Sequence, residues 1–179
     1  MYDFEELDET TRKWMLEEFK QEISSRNPYR SKGLTELGWS RFVDEMEAAI
    51  RAGNEESLAA ALCNAAYWQS SEQRVRKGRP YTVSVDPRKA AQRLAYSEFN
   101  TWYVRGFARR LLEEGVANCQ VYRAAPAIEP RPECSAHEGQ VYSVQEIYDG
   151  HRAKYWPSAN PNALSIPCGP YCHHTIRRH

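Results

Sequence analysis

Two changes of pattern along the chain predict an α+β fold. As far as Glu114 the apolar residues recur three and four positions apart, the spacing of amphipathic helices. Beyond Gly115 they alternate, the spacing of strands. Three of the five cysteines then fall in the last third, among histidines at short spacing. The expected organisation is a helical N-terminal region over residues 1–85. Residues 86–179 follow as a long helix leading into a small mixed module.

Each helix has its own signals. Residues 9–26 place Trp14, Met15, Phe19 and Ile23 on one side, and Asn27-Pro28 ends the helix because the residue before proline avoids helical backbone. Residues 39–52 carry Trp39, Phe42, Val43, Met46 and Ile50 as an apolar stripe, with Gly53 just past the end. Asn54 caps a third helix that has Glu55 and Glu56 in its first turn and Leu58 and Leu62 on its apolar face. These stripes are core. The next segment differs: Arg74, Arg76, Lys77 and Arg79 surround Gly78 and Pro80, and Tyr81 to Val85 alternates. It reads as a basic loop running into a short extended piece.

Asp86-Pro87 is the strongest helix start in the chain, an acidic cap with proline at the first helical position. The helix it opens runs to Glu114, about 40 Å at 1.5 Å per residue. Gly106 in its interior costs about 1 kcal/mol relative to Ala, which implies that another backbone comes close there. Residues 116–123 read as a strand with Cys119 and Val121 on one face. Short extended pieces follow at 140–142 and 164–166, and Ser143 opens a short helix.

The bulk composition is that of a soluble chain, 41% hydrophobic and 27% charged, with zero formal net charge. The charge is unevenly placed: residues 1–60 carry 14 acidic and 8 basic side chains, the remainder 10 and 16. An acidic front and a basic back imply oriented contacts with a polyanion or with other copies of the chain. The first residues are acidic and lack the apolar run of a signal peptide, and no stretch reaches the ~20 apolar residues of a membrane span. An odd cysteine count fits a reducing compartment better than a disulfide framework.

Cys134 and His137 form a C-x2-H pair, and Cys168, Cys172, His173 and His174 form a second cluster about thirty residues on. Two short-spaced pairs of thiolate and imidazole ligands, joined by a loop, are what a tetrahedral structural zinc ion needs. Cys119 has no ligand neighbour and reads as a buried strand residue.

A resemblance follows from the order of these features. The 86–114 helix, the Gly115-Val116 exit and the strand to Arg123 lead to Cys134-Ser-Ala-His137-Glu-Gly139-Gln-Val-Tyr142. The segment Ile166-Pro-Cys-Gly-Pro-Tyr-Cys172-His-His-Thr-Ile176 closes the chain. This series, over about residues 88–177, resembles the phage Mu F-like, or minor head protein, C-terminal domain. The resemblance implies a phage head component acting near the portal, with portal or capsid proteins, or further copies of itself, as partners. It implies location in the virion or the host cytoplasm, and no enzymatic activity. Two departures stand out. His137 replaces the family's second cysteine. Gly169-Pro170 and His173-His174 stand where His-Pro and Arg-Cys are usual. Cys134, His137 and Cys172 therefore lead the ligand set, and the fourth ligand is Cys168 or His174, with His173 behind them.

Two other classes compete with head assembly. A zinc-containing nucleic-acid-binding module would use Arg74–Arg79 and Arg177-Arg178 against phosphates. A zinc-dependent nuclease or hydrolase would need an open metal position and a base, for which Glu138 is the candidate. The helical H-E-x-x-H pair, the glycine-rich phosphate loop and the G-x-S-x-G elbow are all missing from the sequence.

Overall fold

The computed structural model describes residues 2–126, 132–157, 159–170 and 172–179. The helices are α1 (Glu9–Ile23), α2 (Glu36–Ala52), α3 (Glu55–Ala61), α4 (Pro87–Glu113), α5 (Pro132–Ser135) and α6 (Val144–Asp149). The strands are β1 (Ser71–Arg76), β2 (Arg79–Ser84), β3 (Asn118–Arg123), β4 (Val141–Ser143) and β5 (His174–Arg178). The fold class is α+β, with α4 as its longest element. Among the described residues no helix is long and apolar enough to cross a membrane.

The chain divides into two compact units. One joins residues 1–29 to 97–179, and the other is residues 30–96. This division differs from the expected one at 85/86. α1 belongs with the C-terminal part because it packs closely on the second half of α4. At Gly106 an added Cβ would stand 2.5 Å from the backbone nitrogen of Met15, so only glycine lets these two helices approach. Phe19 meets Trp102 edge-on at 5.2 Å, and Met15, Phe99, Trp102, Phe107 and Leu111 are all sealed from water.

In the 30–96 unit the caps act as the sequence predicts. The Asn54 side chain accepts from the backbone of Glu56 and Ser57, and Asp86 accepts from Arg88 and Lys89. Phe42, Met46, Ile50, Leu58, Leu62 and Trp68 form its core. The expected basic loop is instead an antiparallel hairpin. Ser71 pairs with Ser84 and Arg76 with Arg79, with Lys77 and Gly78 at positive φ in the two-residue turn.

In the other unit a three-stranded antiparallel sheet runs β4-β3-β5. β5 was not expected: the closing residues pair Cys119↔Arg178 through Arg123↔His174. The expected extended piece at 164–166 joins no strand. Arg177 and Arg178, read as phosphate contacts, are instead ion-paired within the chain, to Glu5 at 2.9 Å and Glu6 at 2.9 Å.

A polar cluster lies inside this unit. His151 Nε2 donates to Glu22 at 3.1 Å, and burial pushes the His151 pKa from 6.5 down to about 4. Burial opposes ionisation of Glu22. The bond from His151 and the charge of Arg152 nevertheless hold its carboxyl below the usual range. His151 is therefore neutral in the fold at pH 7. As pH falls below 6.5 the unfolded chain takes up a proton that the fold refuses until about 4. Stability present above pH 6.5 should fall by up to about 3 kcal/mol across that window. Urea midpoints measured from pH 7 to 4 should show this loss, and His151→Gln should flatten it.

Candidate metal centre

Three elements bring the thiols together. Cys134 sits on α5, a single turn that continues through hydrogen bonds from His137 N to Cys134 O (3.2 Å) and from Glu138 N to Ser135 O (3.1 Å). Gly139, at φ 78°, then redirects the chain into β4, and its N–H donates to Val121 of β3 at 2.8 Å. Cys168 and Cys172 bracket a turn closed by Cys172 N donating to Gly169 O at 3.1 Å, and β5 starts two residues later.

The Sγ atoms of Cys134, Cys168 and Cys172 all lie within 4.8 Å of one another. Cys134 and Cys172 are 3% exposed. Ligand sulfurs on one tetrahedral zinc stand about 3.8 Å apart, from Zn–S bonds of ~2.3 Å. The three thiols are thus near enough for one metal ion to draw them together. The thiols are also electrostatically linked. A hydrogen bond from Cys168 favours the Cys172 thiolate, which His174 also supports, and the same bond holds Cys168 protonated. Three thiolates could share this space only with a cation between them, a charge that a divalent metal ion would supply.

Two imidazoles flank the sulfurs. His174 is 1% exposed, and its Nδ1 stands 3.7 Å from Cys172 Sγ, close to the ~3.6 Å between a sulfur and a nitrogen bound to one zinc. Its Nε2 faces Glu138 Oε2 at 3.5 Å. Arg123 grips Glu138 at 2.7 Å and, with β5 pairing to β3, lies opposite His174 in the sheet. The Arg123 hydrogen bond holds the Glu138 carboxyl below its usual range. The result is a carboxylate–imidazole pair facing Cys172 Sγ, the arrangement that would orient a histidine toward a metal held there.

His137 stands apart. The ring nitrogens of His137, like those of His174, lie outside the three-sulfur set, and His137 Nδ1 is 2.7 Å from the Tyr142 hydroxyl. Burial, then the positive charge of Lys154, lowers its pKa. The structure thus gathers Cys134, Cys168 and Cys172 with His174 beside them, and places His137 against Tyr142. Cys168 and His174, read from sequence as alternatives, both face Cys172. His173 Nδ1 lies 2.6 Å from the carbonyl of Pro126. Cys119 is a fully buried strand residue whose thiol burial pushes up to about 12, as expected of a core cysteine.

Two supporting residues were not legible in the sequence. Asn100 of α4 donates to the His174 carbonyl at 2.9 Å, and the Tyr2 hydroxyl donates to the Cys172 carbonyl at 3.0 Å. Asn100 left one faint signal. It is an amide on the stripe of Tyr103, Phe107 and Leu111, where a buried polar group needs a partner.

Compared with protein-family models, curated proteins and solved structures, the chain matches none.

Proposed function

We propose that the protein is a phage-type minor head component acting in capsid or portal-vertex assembly. A structural zinc ion would close its C-terminal module. The observation that carries this reading is the buried cluster of Cys134, Cys168 and Cys172 with His174 Nδ1 beside it. These side chains follow the exit of α4 in the sequence order on which the resemblance rests, with His174 opening the last strand. Three thiolates and an imidazole complete a tetrahedral set, which is the composition of a closed structural site. When bound, the ion would supply only charge and cross-linking. The chain supplies the ligands and, through Glu138 and Arg123, the orientation of His174. Zinc suits this donor set because thiolate and imidazole together select a borderline-soft cation.

Glu138 bears on the hydrolase alternative. Its carboxylate is engaged by Arg123 and faces the outer nitrogen of His174, a position for orienting a ligand. Glu138→Gln is therefore expected to weaken zinc affinity by about 10- to 100-fold, read by competition with a chromophoric chelator. Metal-dependent cleavage of DNA or peptide that disappears in the same variant would favour the hydrolase. The assembly reading is tested by co-expression with phage portal and major capsid proteins. Copurification with the portal or incorporation into heads supports it. Monomeric protein that associates with neither contradicts it.

A further inference from the structure

The β1–β2 hairpin lies outside the segment that carries the metal-site motifs. Ten of its twelve strand residues are exposed, on both faces, including Val75 at 71% and Tyr81 at 40%. A two-stranded ribbon that buries neither face has little to stabilise it alone. Its register adds a cost. Arg76 stands directly opposite Arg79, and like charges in opposed positions destabilise a ladder. Arg74 stands opposite Tyr81, so alternation places Arg74, Arg76, Arg79 and Tyr81 on one face. Lys77 holds the turn at φ 51°.

These cations are largely uncompensated. Residues 71–93 carry seven basic and two acidic side chains. Both acids are already engaged, Glu72 with Arg74 at 2.6 Å and Asp86 with Lys89 at 3.9 Å. Arg76, Lys77 and Arg79 meet no carboxylate among the described residues. We propose that this hairpin is a contact for the phosphate backbone of duplex DNA, with its basic face and turn laid in the major groove. A two-stranded ribbon fits the B-form major groove, about 12 Å wide. The major groove of A-form RNA is too narrow to admit it. Phosphates would relieve the Arg76–Arg79 repulsion, and Tyr81 offers an aromatic surface beside them. The proposal is independent of zinc and of the head-assembly reading.

The test uses the full chain as purified, titrated into a labelled random-sequence DNA duplex of roughly 30 base pairs between ~50 and ~200 mM NaCl. Affinity should fall steeply with salt. The triple variant Arg76→Ser, Lys77→Ser, Arg79→Ser should reduce the log–log salt slope by about 2.7, and Lys77→Gln alone by about 0.9. Arg41→Ser with Arg51→Ser, on α2 and paired to Glu45 and Glu47, should leave the slope unchanged. An RNA duplex of equal length should bind about tenfold more weakly or worse. Circular dichroism checks the fold of each variant, and the single substitution decides if the triple variant is unfolded. Three results overturn the proposal: no DNA binding at the lowest salt, an unchanged slope in the hairpin variants, or an equal loss in the α2 pair. RNA bound as tightly as DNA overturns the groove assignment with it.

Discussion

Cys172→Ser is expected to abolish binding of the proposed zinc ion and loosen the segments around the thiols while leaving the helices of residues 30–96 intact. The sulfur of Cys172 is the hinge of the cluster, facing Cys168 and Cys134 on one side and His174 Nδ1 at 3.7 Å on the other. The backbone around it is also held by the turn from Gly169, the Tyr2 hydroxyl, the Asn100 amide and the bond from Ala124 N–H to the His173 carbonyl. The segments around the thiols, 132–139 and 166–173, have little regular structure of their own, and a metal would tie them together. Structural zinc can contribute about 10 kcal/mol or more in isolated zinc-binding peptides. Limited proteolysis should then cut Cys172→Ser or Cys134→Ser between 132 and 179 under conditions that spare the native protein. Cys119→Ser should keep its full metal content, because that thiol is sealed inside β3 away from the cluster. Equal protease resistance in Cys172→Ser would mean that the turn is ordered without the metal.

Arg152→Ala is expected to cost about 3–5 kcal/mol, the usual penalty for removing one partner of a buried ion pair. Arg152 is 3% exposed and grips Glu98 with both terminal nitrogens, at 2.6 and 3.1 Å. Its Nε faces Glu22 Oε1 at 3.3 Å, an ion pair without hydrogen-bond alignment. The guanidinium also lies over Tyr29 at 4.4 Å and Trp102 at 5.2 Å. Its truncation would strand the Glu98 carboxylate, itself 5% exposed, in apolar surroundings. Lysine should rescue little, because a point charge can neither bind both carboxylate oxygens in parallel nor stack on the rings. Arg152 also adopts left-handed backbone at φ 55°, a conformation that the side-chain anchorage has to hold. Equilibrium urea unfolding measures the loss, and a change under 1 kcal/mol would show that the cluster is dispensable.

The sequence reveals local devices well and long-range pairings poorly. Asp86-Pro87 and Asn54 mark helix starts because capping is a contact over two or three residues. Gly106 betrays a close approach because nothing local justifies glycine inside a helix, and the partner is the Met15 backbone. The gathering of Cys134, Cys168 and Cys172 is legible because cysteines at short spacing near a chain turn are a recognisable ligand pattern. The contact of His137 Nδ1 with the Tyr142 hydroxyl is not legible from its spacing to Cys134. β5 is hidden because histidines and arginines fill a segment whose partner strand is some fifty residues away. The hairpin is hidden because four cations mask its alternation. The Arg152 cluster joins positions 54 and 130 residues apart through shape alone, and no local pattern announces such a contact.

Elemental analysis of protein purified without added metal, paired with X-ray absorption at the zinc edge, tests the central claim most directly. The expected result is one zinc per chain, with a first shell of three sulfurs and one nitrogen that loses its nitrogen in His174→Ala and keeps it in His137→Ala. Zinc below a few tenths of an equivalent, with residues 132–179 still resistant to protease, would contradict the account.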